Sequence, residues 1–301
     1  MNRSYRVIIM ISIVVVALFF INAEKSGNSN AVKNLKPADS IKNTSDTYVI
    51  KALKIPDDLT FAGEKVELDK TDIRERIDRE LLVNTYWQSN ALLWFKRTHK
   101  YFPVIEPILK EKGVPDDFKY LAVIESDLRN VTSPVGAKGM WQMLKGAGRE
   151  NGLEINDNVD ERYHLEKATR AACDYMIKAK ERLGSWTLAA AAYHGGNYGI
   201  VKRLEQQMVD SYYDVLVGEN TERYIPRIVA AKEILTNPDK YGFIFDEEDL
   251  YEMKPTYEVE VDTVITNIAL FAKDFGTNYK ELKMYNPWLR ENKLNNKTRR
   301  V

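Results

Sequence analysis

Between Asp69 and Leu235, apolar residues return at every third or fourth position, segment after segment, and hardly anywhere at every second. Ile73, Ile77, Leu81 and Leu82 keep this spacing, followed by Trp87, Leu92, Trp94 and Phe95, and then by Val104, Ile105, Ile108 and Leu109. A 3.6-residue repeat buries one stripe of a helix, so a chain written this way can build helices but few sheets. The spacing predicts helices over 69–99 and 101–112, the latter stopping at Gly113, with more over 116–128, 165–183, 185–193 and 222–236. Strand alternation waits until Tyr257, Val259 and Val261, which alternate with Glu258, Glu260 and Asp262. The body is predicted to be mainly α, with a separate small β-α-α module over 255–301 whose helices fall near 264–275 and 278–285.

The 301 residues suffice for one sizeable core and a smaller unit. Forty-four basic residues balance forty-four acidic ones, which excludes a dedicated nucleic-acid binder that must neutralise phosphates. Cys173 is the single cysteine, so no intrachain disulfide forms, and beside Ala172 and Met176 it reads as a small buried filler. His99, His164 and His194 share no ligand spacing; neither a metal nor a cofactor is expected.

At the N-terminus, Arg3 and Arg6 precede the uncharged run Val7–Ile21 and then Asn22-Ala23. A basic segment, an apolar segment and a small residue make an export signal over 1–23, removed or kept as an anchor. The run is short for a bilayer span, which needs about 20 apolar residues. Residues 24–60, rich in Lys, Asn, Ser and Asp, read as a flexible spacer. The folded region is then expected over 61–252, with its core at 100–245, in the cell envelope or periplasm. It is expected to be a monomer that meets the membrane only through residues 7–21.

The chemistry concentrates after Pro115. On the helix opened by Asp116 and Asp117, the apolar stripe Phe118, Leu121, Ala122 runs on to Glu125 and Leu128. A carboxylate on a buried face either pairs with an arginine or keeps its proton toward neutral pH, as a general acid requires. Both readings stand on this feature alone. Ser126 follows, and then Gly136-Ala137-Lys138-Gly139-Met140-Trp141-Gln142, whose glycines suit backbone lying close to a ligand. Gln142 offers a donor and an acceptor, and Trp141 a flat face, as sugars require. Tyr193-His194-Gly195-Gly196-Asn197 and Thr221-Glu222-Arg223-Tyr224-Ile225-Pro226 supply two further polar rims.

In that order and spacing, these segments resemble the lysozyme-like lytic transglycosylases of the soluble, family 1 type. The likeness is strongest to the group of membrane-bound lytic murein transglycosylases D. The resemblance implies a lysozyme-like helical catalytic domain and a peptidoglycan glycan strand as substrate. It makes Glu125 the acid/base, supported by Ser126 and Tyr224, with Met140, Gln142, Tyr193 and His194 along the sugar groove. It also implies cleavage of the MurNAc–GlcNAc β-1,4 bond to leave 1,6-anhydroMurNAc ends, with neither metal nor cofactor. His194 departs from the family, which has asparagine there. A hydrolytic lysozyme on the same fold and a non-catalytic wall-binding protein are the competing readings. Residues 255–301 resemble a LysM peptidoglycan-binding repeat through Val261-Asp262-Thr263-Val264, Ile268-Ala269, Gly276, Leu282 and Asn286-Pro287. The usual glycine before Asp262 is missing, and the closing strand is hard to find after Arg290.

Overall fold

The computed structural model describes residues 50–295, and the residues from Ala52 onward form one compact unit. The expected export signal over 1–23 and most of the spacer lie outside the described residues. Among those described, no helix is long and apolar enough to cross a membrane.

The body is helical, and each helix end has a local cause. Helix Gln88–Lys112 stops where Gly113 turns left-handed (φ 70°) and its N–H reaches back to the carbonyls of Leu109 and Lys110. Leu165–Leu183 stops the same way at Gly184. The next helix, Trp186–Gly195, starts at once because the Ser185 side chain accepts from the Leu188 N–H. The Glu64 carboxylate accepts from the Trp186 and Thr187 N–H groups at 2.7 and 2.8 Å, a negative charge on the positive end of the helix.

The break expected near residue 100 falls at Trp87 instead, between helices Thr71–Tyr86 and Gln88–Lys112. Pro103 and Pro107 lie inside the second helix, each removing one ladder N–H without ending it. Three further corrections concern short or isolated elements. Residues 52–60 belong to the folded body rather than the spacer, since Ile55, Leu59 and Phe61 enter the core. Thr60–Phe61 and Glu64–Lys65 pair as a hairpin whose turn, Ala62-Gly63, has positive φ at both residues. The Gly-Gly-Asn stretch opens an unanticipated helix, Asn197–Gln207.

Tyr224–Thr236 is the central helix, packed against Thr71–Tyr86, against Lys119–Ser126 and against Trp186–Gly195. Its Tyr224, Ile225, Ile228, Val229, Ala230, Ala231 and Ile234 are all buried. Opposite it, Ala189 to Ala192 are fully buried, and their small side chains let neighbouring backbones close in.

Near the C-terminus, helices Ile268–Asp274 and Tyr279–Tyr285 appear as expected, while of the strand expected over Tyr257–Val261 only Val261 is bridged. Tyr257, at the start of that segment, is exposed, and its hydroxyl donates to the Phe275 carbonyl at 3.2 Å. After Arg290, the described residues close the module through an antiparallel bridge from Leu294 to Ile265. The small core of this module, Ile265, Ile268, Trp288, Leu289 and Leu294, is completed by Val159 and Tyr163 of the helical body.

Candidate active site

Glu125 is the penultimate residue of helix Lys119–Ser126, preceded by a one-turn 3₁₀ segment at Asp116–Phe118. The helix is buried on nearly every side, and Glu125 alone among its residues is half-buried. It ends two residues earlier than expected, because Asp127 and Leu128 turn left-handed. Asp127 thereby swings away, and its Oδ1 accepts the Trp94 indole N–H at 2.8 Å. Of the two neighbouring acids, Asp127 is committed to the scaffold and Glu125 is left to Tyr224.

The Tyr224 hydroxyl donates to Glu125 Oε1 at 2.6 Å from a fully buried position at the start of the central helix. Burial pushes the Glu125 carboxyl above its ordinary range, against the opposing pull of the Tyr224 hydrogen bond and the Arg227 charge. Burial, then the carboxylate beside it, drives the Tyr224 phenol well up, so it remains a donor. Arg227 lies on the same face one turn beyond Tyr224, and its Nη2 donates to the Ile124 carbonyl at 2.9 Å. Sequence reasoning missed Arg227, although its i+3 spacing from Tyr224 was the available signal.

The loop after the helix is bound to the same centre by its backbone. Ser126 Oγ lies 2.8 Å from the Met140 carbonyl, and the Tyr193 hydroxyl donates to the Trp141 carbonyl at 2.6 Å. Met140 is 5 % exposed, so its side chain belongs to the core and what it offers the site is its carbonyl. Trp141 is also core rather than a flat sugar face: it is fully buried, with its indole N–H on Thr169. Gln142 is half-buried at φ 47°, and its Nε2 donates to Gly139 and Val131 carbonyls of its own loop at 2.7 and 3.1 Å. His194 sits at the exposed end of its helix, its ring centroid 4.9 Å from that of Tyr224 and its Nδ1 3.1 Å from Thr221 Oγ1. Partial burial and the Arg227 charge hold the imidazole below its ordinary range, so it is neutral at neutral pH.

The structure therefore gathers Glu125, Ser126, Tyr193, His194 and Tyr224 with the Met140–Gln142 backbone around one centre. It can hold one proton on a poorly solvated carboxyl, with a phenol ready to stabilise the carboxylate once that proton leaves.

Residues 102–215 match the family model described as the transglycosylase SLT domain, and residues 257–301 match that of the soluble lytic transglycosylase C-terminal LysM-like domain. The chain carries both domains. It is similar to the membrane-bound lytic murein transglycosylase D of Escherichia coli strain K12, with 25% identity over 235 residues, 75% of this chain and 50% of that protein. The protein of the same name from strain O6:H1 aligns equally well. The chain thus spans about half the length of the curated relatives it matches.

Proposed function

We propose that this chain, built on a transglycosylase SLT domain, is a lytic transglycosylase of peptidoglycan that cleaves the MurNAc–GlcNAc β-1,4 bond and leaves 1,6-anhydroMurNAc ends. The observation that carries the reading is the lone acid: Glu125 is raised by burial and touched by the Tyr224 phenol, while Asp127 is bound to Trp94. Glycosidases of the two-carboxylate kind flank the bond with a second acid, and here the adjacent candidate is spent on the scaffold.

Glu125 gives its proton to the bridging oxygen as the glycosidic bond breaks, so the leaving sugar departs with a free hydroxyl. The substrate's own 2-acetamido group stabilises the cationic carbon. The Glu125 carboxylate, held by the Tyr224 O–H, then takes the proton of the C6 hydroxyl, whose oxygen closes the 1,6-anhydro ring. The cycle consumes no water and returns Glu125 to its starting state. His194, neutral and donor-capable, takes the place of the family's asparagine on the sugar rim. The LysM-like module is assigned to the same polymer, and the basic-then-apolar N-terminal sequence supports export to the cell envelope.

Mass analysis of the muropeptides released from purified sacculi tests the reaction. Products lighter by one water than those of a lysozyme, and resistant to borohydride, are expected. Borohydride-reducible ends would identify a hydrolase, and the absence of any release would identify a binder.

A further inference from the structure

Residues 158–163 face two ways. On one side the Asn158 side chain holds the C-terminal module, donating to the Lys293 carbonyl at 2.6 Å and the Glu291 carboxylate at 2.9 Å, and accepting from the Asn295 N–H at 2.9 Å. Backbone bonds from Asp160 N–H to the Trp288 carbonyl and from Arg290 N–H to the Asn158 carbonyl, both 2.9 Å, continue the seam. The module's own core is incomplete without Val159 and Tyr163.

On the other side the same stretch holds the loop over 131–143. Arg162, 4 % exposed, forms a two-pronged pair with Asp160 at 2.9 and 2.7 Å. Its remaining arm donates to the Gly136 and Met143 carbonyls at 3.1 and 3.2 Å. The Tyr163 hydroxyl lies 2.9 Å from Thr132 Oγ1. At Gly139 a Cβ would stand 1.8 Å from the Arg162 carbonyl oxygen, so only glycine lets the loop lie against this stretch. That loop presents the Met140 carbonyl to Ser126 and the Trp141 carbonyl to Tyr193.

We propose that the C-terminal module clamps the groove loop, and that Arg162 is the positioning residue through which its docking reaches the cleft. A guanidinium suits this task because its fixed planar fork bonds a carboxylate and two carbonyls at once, whereas an ammonium is a point charge. The module then does more than bring polymer near: it sets the shape of the groove for any substrate. The kinetic part of this inference rests on the proposed function; the structural part does not.

Two full-length variants test it, Asn158→Ala/Trp288→Ala from the module side and Arg162→Lys at the relay. Hydrogen exchange is read at the loop amides of Lys138, Gly139, Gln142 and Met143, with amides of the central helix as reference. Both variants are expected to speed loop exchange about ten-fold or more, the equivalent of losing one good hydrogen bond, and to leave the central helix unchanged. On short soluble glycan fragments, KM is expected to rise about ten-fold with kcat within about two-fold, since Glu125 is untouched. Loop exchange unchanged in either variant, or raised equally throughout the core, overturns the clamp. A rise in loop exchange with no change in KM overturns the link to the groove. Failure of the wild type to cleave any glycan would instead count against the proposed function, and the exchange result would still decide the clamp.

Discussion

Two acids drawn away from water, Asp160 fully and Glu125 in part, meet the same problem in opposite ways. Asp160, under the C-terminal module, is gripped by the Arg162 fork, with Lys138 Nζ 3.5 Å away. Burial raises its carboxyl, but the Arg162 bonds and charge outweigh that and hold it below the ordinary range. Glu125 is denied a partner of that kind: its contact is a neutral phenol, Arg227 acts on it only at a distance, and burial wins. A paired acid holds structure, because removing either partner strands a charge. An unpaired acid retains a proton it can give away.

The sharpest way to break the contrast is Glu125→Gln, which keeps the Tyr224 bond but removes the transferable proton. General acid–base help is worth ~10²–10⁴-fold, and a loss of that size in sacculus digestion is expected from a protein with an unchanged circular dichroism spectrum. Activity within a few-fold of wild type would remove Glu125 from its role.

Asp160→Ala should do the reverse, damaging the fold more than the chemistry. It leaves Arg162 buried without its partner, for which about 3–5 kcal/mol of lost stability is expected in denaturant melts. A loss under 1 kcal/mol would mean that Arg162 finds water, and that the pair contributes little.

Tyr224→Phe removes one charge-assisted hydrogen bond to the Glu125 carboxylate, worth roughly 1.5–3 kcal/mol, so a fall in kcat of about ten-fold or more is expected. The same change should move the alkaline limb of the pH profile upward, because that limb reports loss of the Glu125 proton and the Tyr224 bond holds the Glu125 carboxyl down. A rate loss with an unmoved profile would point to disturbed packing.

The two acids should also give stability–pH curves of opposite slope. Glu125, raised in the folded state, holds its proton where the unfolded chain has released it, so its contribution falls as pH rises from the ordinary carboxylate range to its own higher value. Glu125→Gln should therefore melt higher than wild type at neutral pH, and the gap should close as pH falls through the ordinary carboxylate range. Asp160, lowered in the folded state, stabilises above that range and ceases to as pH falls through its own lower value. A gap between Glu125→Gln and wild type that stays constant with pH would contradict the first assignment. The smallest effect is expected from His194→Asn, which exchanges one neutral donor for another; kcat/KM on sacculi should stay within a few-fold.

The helical body was legible because its signals are local and repeated: the stripe through Ala168, Ala171, Ala172 and Met176 lies on one face of a long helix and is buried as a unit. Glu125 was legible for the same reason, as a polar residue on an otherwise apolar stripe. Hairpin 60–65 was not, since two-residue strands carry no periodicity to read. The alternation at Tyr257–Val261 overstated the strand, since only Val261 is bridged there; how far pairing extends depends on a neighbour that is not written in its own residues. Arg162 carries no signal of its own in the sequence: its value lies in carbonyls at Gly136 and Met143, well away from it along the chain. The indole of Trp94, taking Asp127 from a helix 33 residues earlier, was hidden in the same way.

The shared core of the C-terminal module has a practical side. The segment over 252–260 is almost wholly exposed and joins two parts that are also held together through Val159, Tyr163 and Asn158. A protease nicking that segment would therefore not release a free domain; the fragments should still elute together from a sizing column in mild buffer and separate only in denaturant. For the same reason, grafting residues 257–301 onto another enzyme transfers a half-built unit whose missing wall stays behind in the donor.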